Sequence, residues 1–157
     1  MTETNHKDHW AASFDKLDKT DLELIEAAVN ILKANFHPIK HQIGCALRTE
    51  SGKIYTSVNI KSSGYGPCAE AVAIGSAISN GDKNIISIVA VKKIDEDYPV
   101  LSPCGNCRQL IIDYAHNANV ILNFEGQSLK TKASQLLPGP YENSLTSLAR
   151  SSRLSSG

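Results

Sequence analysis

No apolar run in this 157-residue chain approaches the roughly 18 to 20 residues that would span a bilayer. Residues 1–8 are polar and charged and lack the apolar centre of a secretory signal. There is no basic run either, since 16 basic and 16 acidic residues cancel to a formal net charge of zero. A protein that tracks long nucleic acid needs a cationic stripe to displace counterions, and basic residues interleaved with aromatics to stack on bases. Both are missing, so the sequence argues against nucleic-acid and membrane partners and for a small, diffusible substrate in the cytoplasm. Internal repeats are absent as well. Cysteine is scarce, at four residues, yet three of the four fall in two short segments. In a reducing compartment such close-set cysteines more often bind metal or react than form disulfides.

What is present suits one globular domain. Hydrophobic residues make up 41% and charged residues 20%, ordinary values for a soluble fold long enough to bury a core. Residues 1–17 show no sustained period and read as an arm. Asp18 or Thr20 can cap a helix whose apolar residues Leu22, Ile25, Val29 and Leu32 recur at helical spacing, ending ahead of Pro38. Residues 43–47 and 54–60 read as a hairpin around the Gly52 turn. A flexible loop at 61–66 leads to Pro67, placed in the first turn of a helix that is apolar nearly all round. A helix of that kind is buried in the core or at a subunit contact. Residues 85–91 form a strand covered on both faces. A charged loop follows, then a helix carrying Leu110, Ile111, Ile112 and Tyr114, then two strands at 120–124 and 129–133. The tail at 142–157 is Ser-rich and polar. This order predicts a layered α/β domain over residues 18–141, built around one mixed sheet, with its site where strands end and helices begin.

Both cysteine segments fall at such junctions. The first reads Gly66-Pro67-Cys68-Ala69-Glu70 and the second Leu101-Ser102-Pro103-Cys104-Gly105-Asn106-Cys107-Arg108-Gln109. Cys104 and Cys107 stand at i and i+3 on one helical turn, and Cys68 can add a third thiolate from the start of another helix. Catalytic zinc takes three protein ligands and leaves a fourth position open. Two helix N-termini would then face the metal, lowering thiolate pKa values and offsetting their charge. Arg108, adjacent to a ligand, is a further cation for charge compensation. A CxxC pair alone could equally be a redox dithiol. With Cys45 it could complete a structural four-cysteine zinc site, although Cys45, among Ile43, Ala46 and Leu47, also reads as a small buried hydrophobe. Neither alternative accounts for Glu70, two residues after Cys68 at the start of an apolar helix. Cys/His-x-Glu followed by Pro-Cys-x-x-Cys is the arrangement of zinc deaminases acting on nucleobases.

On these residues, together with Val58-Asn59 and the closing Leu136-Leu137-Pro138 with Tyr141, the chain resembles the cytidine deaminase superfamily. Within it the resemblance is closest to the blasticidin S deaminases. It implies a three-layer α/β/α domain with a five-stranded mixed sheet, zinc on Cys68, Cys104 and Cys107, and commonly a homotetramer. It also implies that Glu70 takes a proton from water, protonates ring N3 and helps the 4-amino group leave as ammonia. The backbone of Ala69 and Ser102 would hold the ring's polar edge, Asn59 the sugar or base, and Tyr141 would close the pocket. The chain departs from free-nucleoside cytidine deaminases, which carry Asn-x-Glu-Asn where this sequence reads Asn59-Ile60-Lys61-Ser62. Its spacing of nine residues from Asn59 to Cys68 is shorter than theirs, and Ala71 stands where they often place an Arg. The blasticidin S deaminases share the short spacing and the missing carboxylate, but have an Arg where this chain has Asn106. The expected substrate is therefore a cytosine nucleoside or nucleoside antibiotic, with blasticidin S ahead of cytidine or deoxycytidine.

Overall fold

The computed structural model describes residues 13–142. Most of the expected arm (1–12) and the tail from 143 lie outside the described residues. Helix α1 (Lys19–Asn35) begins at the cap the sequence offers. Asp18 Oδ1 accepts from the Asp21 N–H at 3.1 Å, and Asp21 Oδ2 accepts from the Asp18 N–H at 2.9 Å, a reciprocal capping box. The buried stripe is Leu24, Ala28 and Leu32, however, while Leu22 is 58% exposed. Of the four expected apolar residues, Ile25, Val29 and Leu32 pack against this core and only Leu22 does not. An i, i+4, i+8 row packs on the sheet most closely when its middle residue is small, and here Ala28 is that residue. Gly44 completes the approach, since a Cβ on it would stand 2.4 Å from the Ala28 carbonyl oxygen.

Strands β1 (Ile43–Thr49) and β2 (Ile54–Val58) form the expected hairpin. Its turn uses Gly52 at φ +87°, a conformation that glycine adopts without strain. Helix α2 (Ala69–Ser79) is capped by Cys68 in an extended conformation, so Pro67 lies just ahead of the helix rather than in its first turn. Strand β3 (Ile85–Lys92) is the centre of the sheet. Two-residue strand β4 (Val100–Leu101), absent from the sequence reading, pairs antiparallel with the end of β3. Helix α3 (Gly105–Ala115), strand β5 (Asn119–Phe124), strand β6 (Gln127–Lys132) and a short 3-10 turn (Ala133–Gln135) complete the order. The five longer strands run β2-β1-β3-β5-β6, antiparallel except for the parallel β3–β5 pair. Residues 13–17 run beside β6, where Asp15 bridges Lys130 and Phe14 stacks on Phe124 at 4.7 Å.

Strand alternation sends side chains to two separate cores. Ala46, Val89, Val91 and Ile121 meet α1 on one face, while Cys45, Leu47, Ile88, Val120 and Leu122 meet α2 and α3 on the other. The result is the three-layer α/β/α domain expected. No helix among the described residues is long and apolar enough to cross a membrane.

Lys130 Nζ joins β6 to the α1 cap, contacting Asp18 Oδ2 at 2.8 Å and Asp21 Oδ2 at 2.6 Å. Hydrogen bonds from Lys130, Thr20 and the Asp21 N–H hold the Asp18 carboxyl well below its ordinary range. The unfolded chain therefore binds the proton first as pH falls, so Asp18 stabilises the fold above about pH 4 and its contribution fades below that. Asp18→Asn should lower the urea midpoint at pH 7 and narrow its gap to the parent protein at pH 3. A gap independent of pH would show that the ion pair is not what Asp18 contributes.

Candidate active site

The two helix starts that the sequence singled out meet at one place. Cys68 caps α2 and Cys104 caps α3, both in extended conformations and neither with a side-chain capping bond. Their carbonyls instead take the first helical hydrogen bonds, from Val72 N–H at 3.2 Å and Arg108 N–H at 2.9 Å. This leaves the thiols free to turn toward each other, and Cys107 joins them one turn into α3. The three sulfurs lie within 4.8 Å of one another, with Cys107 buried, Cys68 partly buried and Cys104 exposed. Three thiolates on a tetrahedral zinc with bonds of about 2.3 Å would stand roughly 3.8 Å apart, so small side-chain rotations close the set. Cys45 is not in this group. It is fully buried on β1 in the core, and its thiol is pushed up by burial and then by the nearby Glu70 charge.

The electrostatics of the cluster call for a cation. Burial, then the charges of Glu70 and Cys68 along with a Cys68 hydrogen bond, push the Cys107 thiol far above its ordinary range. Burial also raises Cys68, reinforced by Cys104 and Glu70. At Cys104 burial opposes ionisation too, but the nearby Cys107 and Asn106 N–H groups and the two neighbouring thiols outweigh it, so its pKa is lowered. Only one of the three thiols thus ionises readily by itself. A soft dication at their meeting point would reverse that, and three sulfurs with an open side suit zinc.

Glu70 sits in the first turn of α2 and is only 5% exposed. Behind it a cavity of about 10 Å3 is lined by Ile88, Ala90, Leu101, Pro103, Ile111 and Val120, among others. That apolar wall desolvates the carboxyl and raises its pKa, against smaller opposing bonds from its own backbone and Cys107. A raised carboxyl beside a metal-competent cluster is a group prepared to accept and return a proton.

The other residues expected at the site make the following contacts. Ala69 follows the Cys68 cap, and its carbonyl accepts from Ser57 Oγ at 2.6 Å. Ser102 uses its hydroxyl on β5, donating to the Asn123 carbonyl at 2.7 Å and accepting from the Asn123 N–H at 3.1 Å. The hydroxyl is thus engaged on both counts with β5. Asn59 Oδ1 accepts from the Gln42 and Ile43 N–H groups at 2.8 and 2.9 Å, and its carbonyl bonds His41 Nδ1 at 2.8 Å. Its side-chain oxygen therefore anchors the start of β1, leaving the NH2 end as the donor available for a substrate. The Asn59–Gly66 loop is closed by the Ile60 N–H to the Pro67 carbonyl, and a Cβ at Gly66 would stand 2.6 Å from the Ile60 carbonyl oxygen. Arg108 donates from Nε to the Pro103 carbonyl at 2.9 Å and from one terminal nitrogen to the Leu136 carbonyl at 3.1 Å. Its charge enters the loop that presents Cys104. Tyr141 is 72% exposed, with its main chain paired to the Gln109 side chain.

Ser57, Asn123 and Gln109 were given no task from sequence. Gln109 stands inside the motif and could have been questioned there. Ser57 and Asn123 come close only through pairing and crossover, which leave no local signal.

Residues 18–123 match the family model described as the cytidine and deoxycytidylate deaminase zinc-binding region. The chain is 40% identical over 132 residues to a blasticidin-S deaminase of Bacillus cereus, covering 80% of this chain and 94% of that one. It is 35% identical over 129 residues to a probable cytidine deaminase of Dictyostelium discoideum, covering 80% and 86%. Among solved structures, a cytidine deaminase from Burkholderia pseudomallei aligns with a TM-score of 0.64 at 29% identity, over 80% of this chain and all of that one.

Proposed function

The chain belongs to the cytidine and deoxycytidylate deaminase zinc-binding family and is a zinc-dependent hydrolytic deaminase; from that premise we propose that it converts the 4-amino group of the cytosine ring of blasticidin S to a carbonyl, releasing ammonia. The observation that carries this reading is a buried, proton-accepting Glu70 beside three convergent sulfurs at two helix starts. The substrate choice is supported by the 40% identity to the Bacillus cereus enzyme and by Lys61, where cytidine deaminases carry a ribose-gripping carboxylate.

Cys68, Cys104 and Cys107 hold the zinc in this reading, which when bound supplies a Lewis acid that lets water ionise near neutral pH. Glu70 would accept a proton from the attacking water and deliver it to ring N3, which makes C4 electrophilic. The second water proton leaves with the 4-amino group as ammonia, again through Glu70, and the water oxygen becomes the product carbonyl. A carboxyl raised by its apolar wall suits both directions of transfer. The N–H of Ala69 and the carbonyl of Ser102 hold the ring edge, the Asn59 NH2 donates to the sugar-equivalent ring, Tyr141 closes the pocket, and Arg108 compensates the thiolate charge. The catalytic unit spans residues 18–141, and reduced, unbridged cysteines suit the cytoplasm.

A homotetramer belongs to the same proposal. An open groove of about 380 Å3 between α2 and α3 is lined by Ala71, Ile74, Ile78 and Leu110 together with the polar Asn106, Gln109 and Asp113, a mixed helix face that a second copy would cover. Light scattering on the zinc-loaded protein should return the mass of four chains. A monomer at micromolar concentration would remove this part of the proposal.

An ultraviolet deamination assay at equal concentrations decides the substrate. The expected order of kcat/KM is blasticidin S first, with cytidine and deoxycytidine at least tenfold lower, because a site that hydrogen-bonds its correct partner discriminates by the groups left unpaired. A preference for cytidine would assign the enzyme to pyrimidine salvage.

A further inference from the structure

Tyr141 stands beyond the last strand, near the end of the described chain, and most of its side chain is exposed. Its main chain is nonetheless held on both sides. The Tyr141 N–H donates to Gln109 Oε1 at 3.0 Å, and Gln109 Nε2 donates to the Tyr141 carbonyl at 3.0 Å. One side-chain amide thus pairs with both polar groups of a residue 32 positions away, as a neighbouring strand would. The amide is itself fixed, because Nε2 also contacts both oxygens of Asp113, one turn further along α3, at 3.1 and 3.2 Å. The adjacent Arg108 ties the Leu136 carbonyl to the same helix start. The two residues that follow Cys107 therefore fasten the closing segment, at Leu136 and at Tyr141, to the helix that carries two of the three sulfurs.

We propose that Gln109 is the positioning residue for Tyr141, fixing its main chain on α3 so that the ring is presented to the substrate at a set distance from the metal cluster. This rests on the reading of Tyr141 as a substrate-closing residue. Gln109 touches neither sulfur nor substrate. Its task is to hold the closing segment against the helix that carries Cys104 and Cys107. A glutamine is needed because the pair requires one donor and one acceptor at the same reach. Without the latch the ring would be available only in the fraction of molecules whose segment is docked, and apparent affinity falls by that fraction.

Gln109→Met keeps the length and helix propensity of the side chain and removes both bonds. For the zinc-loaded protein the expected result is a KM raised about tenfold with kcat within about twofold, since the loss is of binding held equally in ground and transition states. Zinc content stays unchanged, and hydrogen exchange at the Tyr141 amide accelerates. Gln109→Glu loses the donor and sets a carboxylate against Asp113 and the Tyr141 carbonyl, so its KM should rise at least as far as that of Gln109→Met; this second variant serves if Gln109→Met folds poorly. Tyr141→Ala should raise KM by itself, and adding Gln109→Met to it should change nothing further, because the latch acts only through that ring. Additive effects in the double variant, a protected Tyr141 amide in Gln109→Met, or lost zinc would each overturn the latch. If Tyr141→Ala leaves KM unchanged, it is the substrate-closing reading that fails, a result distinct from a failure of Gln109 alone.

Discussion

Glu70→Gln should retain zinc in full and lose ammonia release by about 10^4-fold, the upper end of what a positioned acid–base group contributes. The substitution keeps shape and volume at a site that is 5% exposed, so the packing around it is preserved. What it removes is a proton acceptor. Because burial raises the Glu70 carboxyl, the folded, metal-free protein binds its proton more tightly than the unfolded chain does. Stability contributed by this group is complete at low pH and is lost as pH rises through its raised pKa. Metal-free Glu70→Gln should therefore melt no lower than the metal-free parent at pH 7, and its stability should vary less with pH between about 4 and 7. Metal analysis, calorimetry and the ultraviolet assay together check this. A variant that keeps its zinc and its rate would demote the site to a structural one.

Cys107→Ser should have the second large effect. Cys107 is the ligand most deeply buried, and a serine hydroxyl does not ionise to replace a thiolate on a soft ion. Zinc content after dialysis should fall below about a tenth of the parent's, with activity falling in proportion. A ligand that binds only the folded state contributes RT ln(1 + [L]/Kd), about 4 kcal/mol at a thousandfold excess over Kd. For a chain of this size that corresponds to a melting point lower by roughly 10 °C, matching the chelator-treated parent. Because burial lifts the Cys107 and Cys68 thiols and a metal must displace their protons, chelators should strip zinc faster as pH falls. Cys45→Ser is the contrast: it should lower stability through a hydroxyl placed in the core, yet leave zinc content intact. Loss of zinc from Cys45→Ser, or its retention by Cys107→Ser, would mean that the ligand set has been misassigned.

These expectations draw unequally on sequence and on structure. The element order was legible because long apolar periods, Pro38 and the Gly52 turn are local signals. Ile25, Val29 and Leu32 of the α1 stripe were legible, but its fully buried row through Leu24 and Ala28 was not. Leu22 and Leu24 are both acceptable ends of an apolar row, and only the close approach of Gly44 to Ala28 selects the second. Strand β4 escaped because two residues carry no period. The ligands and Glu70 were legible because the chemistry demands particular residue types at short spacings. Ser57, Asn123 and Gln109 bond Ala69, Ser102 and Tyr141 through contacts 12, 21 and 32 residues apart, for which no spacing rule exists.

The sequence by itself singled out Cys68, Cys104 and Cys107 as the proposed donor set, Glu70 as the proposed acid–base group, and the family to which the chain belongs. These depend on atoms that no other residue types supply. Only the tertiary structure decided that the three thiols converge while Cys45 stays in the core, that the Asn59 oxygen is spent on the start of β1, and that Tyr141 is latched to α3. Those facts depend on which hydrogen bonds close when distant segments meet, and that is set by the packing of the whole sheet.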